Sequence, residues 1–228
     1  MQINNAVTSS SSSPSPSPSP SSPDFILEFA SFLIKSNALK FGAFTLASGK
    51  PSPYYIDLRM LPSFPAHFHL TIGALKDAVT KKVASFDTFA SVPTSGLVFG
   101  SALAYEMEKP FVYVRKESKG YGMSKLVEGH LASGAKVVII DDVATTGLSV
   151  SKAIDAIRAN GGVIEDVVAV VNRMEGAEEK LKQMGVRLTS VATIQDIAGA
   201  LHKAGLVDDS TMDAVVKQIA ASGGLETD

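Results

Sequence analysis

The chain reads as an α/β protein in which a parallel sheet is flanked by helices. Strand-like and helix-like segments alternate from residue 66 to residue 193, the pattern of a sheet covered on both faces. Val137-Val138-Ile139-Ile140 is a short, wholly apolar, β-branched run with polar turn chemistry after it, as in a strand buried from both sides. Polar clusters fall at the ends of several such strands, at Pro93 to Gly96, Arg115-Lys116, Asp141-Asp142 and Arg173. Open parallel sheets bind ligands beyond their carboxyl-terminal strand ends.

Residues 1–23 stand apart from the rest. Ser9 to Ser13 is a serine run, and proline alternates with serine from Pro14 to Pro20. Such a segment has too little apolar surface to fold and reads as a disordered tail. It lacks the cationic start and apolar stretch of a secretory signal. Its first basic residue is Lys35, so it also lacks the arginines of a transit peptide. Residues 24–228 then read as one domain.

Asp24 to Lys40 carries Phe25, Phe29, Phe32, Leu33 and Leu39 at mostly helical spacing, with Asp24 placed as a cap. Phe44 to Leu46 and Tyr54 to Leu58 read as short strands around a Gly/Pro turn. A helix over 66–84, a strand over Phe89 to Val92, a helix near 97–107 and a strand over Phe111 to Arg115 follow. Residues 116–129 read as a polar loop. After Val137 to Ile140 comes a helix from Ser149 to Asn160, closed by Gly161-Gly162. Strands over Val167 to Val171 and Leu188 to Thr193 bracket a helix from Glu175 to Met184. Helices over Ile194 to Lys203 and Ser210 to Ala221 complete the chain.

Composition narrows the function. A net charge of −2 and a pI near 6.1 leave no basic footprint for nucleic acid. With no cysteine, thiolate metal sites and disulfides are excluded. No apolar run approaches the roughly 20 residues of a membrane span. The expectation is a soluble, cytoplasmic protein without membrane or nucleic-acid partners.

The most informative stretch is the apolar run with its sequel, Asp141-Asp142-Val143-Ala144-Thr145-Thr146-Gly147-Leu148-Ser149. Thr145, Thr146, Gly147 and Ser149 offer hydroxyls and a pliant backbone where a helix starts. Unpaired N–H groups and the helix dipole favour a phosphate there. Two carboxylates repel a phosphate but suit sugar hydroxyls or a metal ion. Phosphate, diol and metal together describe a phosphorylated ribose. The plainer alternative is an ordinary strand–turn–helix with two solvated acids. A second cluster, Arg115-Lys116-Glu117-Ser118-Lys119-Gly120-Tyr121-Gly122, puts three cations within five residues. On a mobile loop they could close over a polyanion and stabilise a departing pyrophosphate. A solvated basic loop is the alternative.

The 137–149 run resembles the phosphoribosyl pyrophosphate (PRPP) signature of the type I phosphoribosyltransferases. Together with Phe44-Thr-Leu-Ala-Ser-Gly-Lys-Pro-Ser-Pro-Tyr-Tyr-Ile-Asp-Leu-Arg59, the loop from Val114 to Gly122 and Leu126-Val127-Glu128-Gly129, it is similar to the orotate phosphoribosyltransferase family over about residues 24–205. The resemblance implies a phosphoribosyltransferase-like parallel sheet with a small N-terminal hood. It implies transfer of phosphoribose from PRPP to orotate, giving orotidine 5′-monophosphate and pyrophosphate, with Mg²⁺ as cofactor. It also implies a homodimer in which loop 115–122 completes the neighbour's site.

The resemblance assigns roles residue by residue. Lys119, Lys116, Arg115 and Asp142 would be the catalytic group. Arg115 would reach the neighbouring subunit's pyrophosphate, and Lys116, Lys119 and Tyr121 would contact PRPP. Asp141 and Asp142 would hold the ribose hydroxyls directly or through Mg²⁺, and the segment continuing through Val143 and Ala144 would bind PRPP. Thr145, Thr146, Gly147, Leu148 and Ser149 would cradle the 5′-phosphate, with Thr145 also near orotate. Arg173 would pair with the orotate carboxylate, for which its planar fork is suited. Residues near Tyr55 and Ile56 would flank the orotate ring. The chain departs from many relatives at Ala47, where a lysine is common, at Thr94-Ser95, where some have Tyr-Lys, and at Tyr121, a histidine in several bacterial members.

Other residues have plainer readings. His67 and His69 are two apart and face different ways on a helix, which does not make a metal site. Tyr54 and Tyr55 read as packing residues. Arg59 reads as an anchor to a carboxylate, and Arg173 could equally be a surface arginine at a strand end. Two other functions stay open at this level: a phosphoribosyltransferase for a purine base or uracil, and a PRPP-sensing regulator without catalysis. The first lacks the Arg-Lys-x-x-Lys loop paired with Phe44 to Arg59. The second needs a DNA-binding element and basic surface.

Overall fold

The computed structural model describes residues 23–46, 49–115 and 126–222. Helix α1 spans Pro23–Lys35, with Asp24 in its first turn. It stops short of the expected Lys40. Ser36 and Asn37 close it with backbone bonds to Phe32 and Ile34, and Asn37 turns to a positive φ of 61°. Leu39 and Lys40 instead open strand β1, Leu39–Thr45, which pairs antiparallel with β2, Pro51–Ile56. Both strands begin earlier than the apolar pattern indicates. Leu58 leaves the hairpin for a 3₁₀ turn, Leu58–Ser63, started by Asp57, whose carboxylate accepts from the Arg59 backbone N–H.

The main sheet has six strands in the order β5-β4-β3-β6-β7-β8. They are β3 Thr88–Ser91, β4 Phe111–Val114, β5 Val127–Glu128, β6 Lys136–Ala144, β7 Val163–Asn172 and β8 Arg187–Thr193. β5 alone runs antiparallel, against β4; the other pairings are parallel. β5 lies inside the stretch expected to be a loop. The helices are α2 Pro65–Lys82, α3 Ser95–Glu106, α4 Leu148–Ala159, α5 Ala177–Gln183, α6 Ile194–Lys203 and α7 Asp209–Ser222.

Strand alternation divides the core in two. Val138 and Ile140 point to one face, packing with apolar residues of α1, α2, α3 and α6. Val137 and Ile139 point to the other, against Val150, Ile154 and Ile157 of α4 and Leu181 of α5. Ile139 and Ile140 are fully buried, worth about 1.5–3 kcal/mol each in transfer free energy. α4 ends with Gly161 at a φ of 83°, its N–H bonded to Arg158 O and that of Gly162 to Ile157 O. No helix among the described residues is long and apolar enough to cross a membrane.

This topology fixes where a ligand can sit. β3 leads through α3 to β4 on one side, and the chain then returns past β3 to β6 on the other. The order therefore reverses between β3 and β6, where a crevice opens beyond the strand ends.

Candidate active site

The polar clusters lie at carboxyl-terminal ends of neighbouring strands. Pro93 to Gly96 follow β3, Arg115 follows β4, Asp141 and Asp142 lie among the last residues of β6, and Arg173 follows β7. β6 runs on to Ala144, so the acid pair belongs to the strand rather than to the loop after it. In-register pairing continues to Ala144 and Asn172, and the Arg173 N–H donates to Ala144 O at 2.9 Å. That bond sets Arg173 beside the hydroxyl-rich turn.

Asp141 is buried at the switch point, and its Oδ1 accepts from the Asp142 N–H at 2.9 Å. Burial, reinforced by the neighbouring charge of Asp142, pushes its carboxyl well above the usual carboxylate range. Asp142 is half-buried. The start of α3 presses on this spot: a Cβ on Gly96 would lie 3.0 Å from Asp141 Oδ1 and 3.1 Å from Ile140 O. A side chain there would need Asp141 and the β6 backbone to give by a few tenths of an ångström, so the close approach favours glycine. The peptide between Pro93 and Thr94 is cis.

The turn after β6 is braced from the far side. Thr145 O accepts from the Ala177 N–H at 3.1 Å, and Gly147, at a φ of 75°, precedes α4. Val143 and Thr145 are half-buried and Ala144 is buried, while Thr146, Leu148 and Ser149 are exposed around the helix start. Exposed hydroxyls of Thr146 and Ser149 thus stand at the start of α4, whose opening N–H groups favour an anion.

Arg173 is not a surface arginine; it is 5% exposed. Its Nε and Nη2 donate to Glu175 Oε1 at 3.1 and 2.8 Å. Nη2 also donates to Ser52 Oγ at 3.1 Å, and the guanidinium lies 4.5 Å from the centre of the Tyr54 ring. The Tyr54 hydroxyl donates to the same Glu175 Oε1 at 2.8 Å. Burial holds that hydroxyl well above the ordinary phenol range, against the pull of Arg173. The hairpin is thereby tied to the end of β7.

The strand alternation of β2 decides which hairpin residue meets this cluster. Tyr54 does. Tyr55 is on the exposed face, leaning on Phe44 at 5.8 Å between ring centres and accepting from Arg59 Nη2 at 3.4 Å. Ile56 is packed in the core. The resemblance implies Tyr55 and Ile56 near the substrate, and the sequence pattern reads Tyr54 and Tyr55 alike as packing; of these, Tyr54 is the one that meets Arg173 and Glu175. Neither Glu175 nor Ser52 stands out in the sequence; the one available signal was the opposite charge two residues beyond Arg173.

Arg115 bonds Glu128 of β5, Nη1 to Oε1 at 3.3 Å. Lys116, Lys119 and Tyr121, and also Ala47, lie outside the described residues. Arg59 anchors to Asp57 as expected, with Nε to Oδ1 at 2.7 Å, and this bond holds the Asp57 carboxyl below its usual range. His67 stacks on Phe32 at 3.8 Å, and among the described residues no group of three or more potential ligands is arranged for a metal.

Comparison with known proteins agrees with this geometry. Residues 65–200 match the phosphoribosyl transferase domain family. The orotate phosphoribosyltransferase of Cenarchaeum symbiosum is 47% identical over 193 residues, covering 84% of this chain and 96% of that one. That of Sulfolobus acidocaldarius is 40% identical over 200 residues, covering 86% and 100%. Among solved structures, orotate phosphoribosyltransferase from Aeropyrum pernix superposes with a TM-score of 0.70 at 39% identity, covering 79% of this chain and 99% of that chain. Leishmania donovani UMP synthase superposes at 0.75 and 32% identity, covering 86% of this chain and 42% of the longer one. A sheet that brings an acid pair, a hydroxyl-lined helix start and a buried arginine to one edge, in a chain with these relatives, belongs to the phosphoribosyltransferase family, and within it to the orotate phosphoribosyltransferases.

Proposed function

We propose that the edge formed by β6 and β7 binds PRPP and orotate together and joins them. The observation that carries this reading is the backbone bond from Arg173 to Ala144, which couples a carboxylate-binding side chain to the ribose-phosphate turn. Asp141 and Asp142 face the ribose hydroxyls. Asp141, whose carboxyl burial pushes well above the usual carboxylate range, lies deeper in the site, and the half-buried Asp142 lies nearer to solvent. Thr145, Thr146 and Ser149, with the N–H groups opening α4, take the 5′-phosphate. Arg173 takes the orotate carboxylate.

The reaction is a displacement at the anomeric carbon. The bond from a ring nitrogen of orotate to that carbon forms, the bond to pyrophosphate breaks, and pyrophosphate leaves with the electron pair. The proton on the attacking nitrogen passes to the departing pyrophosphate. Orotate is already an anion, so the chain's main tasks are positioning and neutralising the leaving charge. Lys119, assisted by Lys116 and Arg115, supplies that neutralisation, on the strength of the sequence resemblance. Mg²⁺ fits the donor set as a substrate-borne ion. The two carboxylates are hard oxygen donors, and Mg²⁺ commonly pairs one or two such groups with substrate phosphates rather than an all-protein cage. Asp142, with Asp141 behind it, would hold the ion. When bound, it supplies Lewis-acid stabilisation of charge on the pyrophosphate.

Pyrophosphate release from PRPP and Mg²⁺ should depend on orotate and not on uracil, hypoxanthine or adenine. Release with a purine or uracil, and none with orotate, refutes the assignment. Lys119→Ala should depress turnover far more than PRPP affinity; small and equal effects on both remove Lys119 from its role.

A further inference from the structure

We infer that Glu175 is a positioning residue, which fixes the one edge of Arg173 that is left for the substrate. The inference rests on the reading of Arg173 given above and adds the group that aims it.

A guanidinium has five N–H donors: one on Nε and two on each terminal nitrogen. Nε–H and one hydrogen of Nη2 converge on Glu175 Oε1, which closes the side edge of the fork. The second hydrogen of Nη2 goes to Ser52 Oγ. Ser52 is itself fixed, because its own hydroxyl donates to Tyr54 O at 2.7 Å, leaving a lone pair for Arg173. Nη1 is the guanidinium nitrogen with no hydrogen-bond partner among the described residues. An incoming carboxylate therefore meets the end of the fork, at Nη1, and not its side.

Three features keep the fork from turning. The Tyr54 ring covers one of its faces. The Tyr54 hydroxyl donates to the same Oε1, so that oxygen cannot swing away without losing three bonds together. Burial of both partners, each 6% exposed at the side chain, removes water as a substitute acceptor. A long arginine side chain otherwise loses much rotamer freedom on binding, and a pre-oriented one does not.

Steady-state kinetics with orotate and PRPP varied separately test this. Glu175→Ala frees the side edge; the orotate KM should rise at least tenfold while the PRPP KM stays within twofold. Glu175→Gln keeps an oxygen at the Oε1 position and should return the orotate KM to within about threefold of wild type. An orotate KM for Glu175→Ala within twofold of wild type, or a parallel rise for both substrates, overturns the inference. Should Glu175→Ala fail to fold, Ser52→Ala carries the same test, with a severalfold rise confined to orotate as the expected result and no rise as the refuting one. A wild-type chain that does not consume orotate refutes the function instead, and the two failures are read from different proteins.

Discussion

At the scale of single residues, the site holds groups whose burial works against stability. Asp141 is the clearest. Its folded-state pKa lies above its unfolded one, so the folded chain binds the extra proton between those two values. Stability from this group is fully present below the ordinary carboxylate range and falls as pH rises towards the folded pKa. Asp141→Asn should therefore raise the thermal midpoint at pH 8 by about 3 °C, and this gain should disappear near pH 4. Activity should drop in the same variant. A midpoint that falls at pH 8 would show Asp141 to be a net stabiliser. Arg173→Ala has the opposite sign: it strands a buried Glu175 carboxylate and should cost about 3 kcal/mol by chemical denaturation, in addition to orotate turnover. Gly100 makes a further residue-scale case, since a Cβ there would lie only 1.9 Å from Ser91 Oγ. Ser91 Oγ has no hydrogen-bond partner among the described residues and can turn aside without losing one, but the Phe111 ring at 3.0 Å and Ser91 Cβ at 3.2 Å still crowd the added methyl. Gly100→Ala should cost about 2 kcal/mol, as overpacking does, measured in urea.

Individual elements show where local chemistry suffices and where it does not. α6 is bounded as its sequence reads, Ile194–Lys203. Thr193 Oγ1 accepts from the Asp196 N–H at 3.0 Å, and Asp196 Oδ2 accepts from the Thr193 N–H at 3.0 Å. Thr193→Ala should lose about 1 kcal/mol, and amide exchange in the first turn of α6 should quicken before that of β7. The central strands were also legible, because burial on both faces demands unbroken apolar runs. α1 is shorter than its apolar spacing indicates, because Leu39 fits the spacing of a helix that Asn37 has already ended. β5 left no trace in the sequence. Two residues become a strand only by pairing with Tyr113 and Val114. The acid pair and the hydroxyl-rich turn at the start of α4 stand out in the sequence because charge and hydroxyl order are local. The clamp on Arg173 does not, since Ser52 and Tyr54 lie 121 and 119 positions away and meet it through the hairpin's fold. Nothing in an Arg-x-Glu spacing signals that both side chains will be buried.

For the whole molecule, function is expected to be shared between copies. If the Lys119 segment serves the neighbouring site of a dimer, Lys119→Ala and Asp142→Ala chains, each inactive alone, should complement when mixed and refolded. Random pairing makes half the dimers hybrid, each with one intact site, so about a quarter of wild-type activity should return. No recovery would place each lysine in its own subunit's site.

The tie between Tyr54, Glu175 and Arg173 also limits how this scaffold can be recombined. A chimaera that imports a foreign β1–β2 hairpin while keeping the native segment after β7 replaces the aromatic lid and the Ser52 acceptor but leaves the ion pair behind. Segments 51–56 and 172–175 form one inheritable module, and grafts that carry both should retain substrate discrimination that grafts of either alone lose.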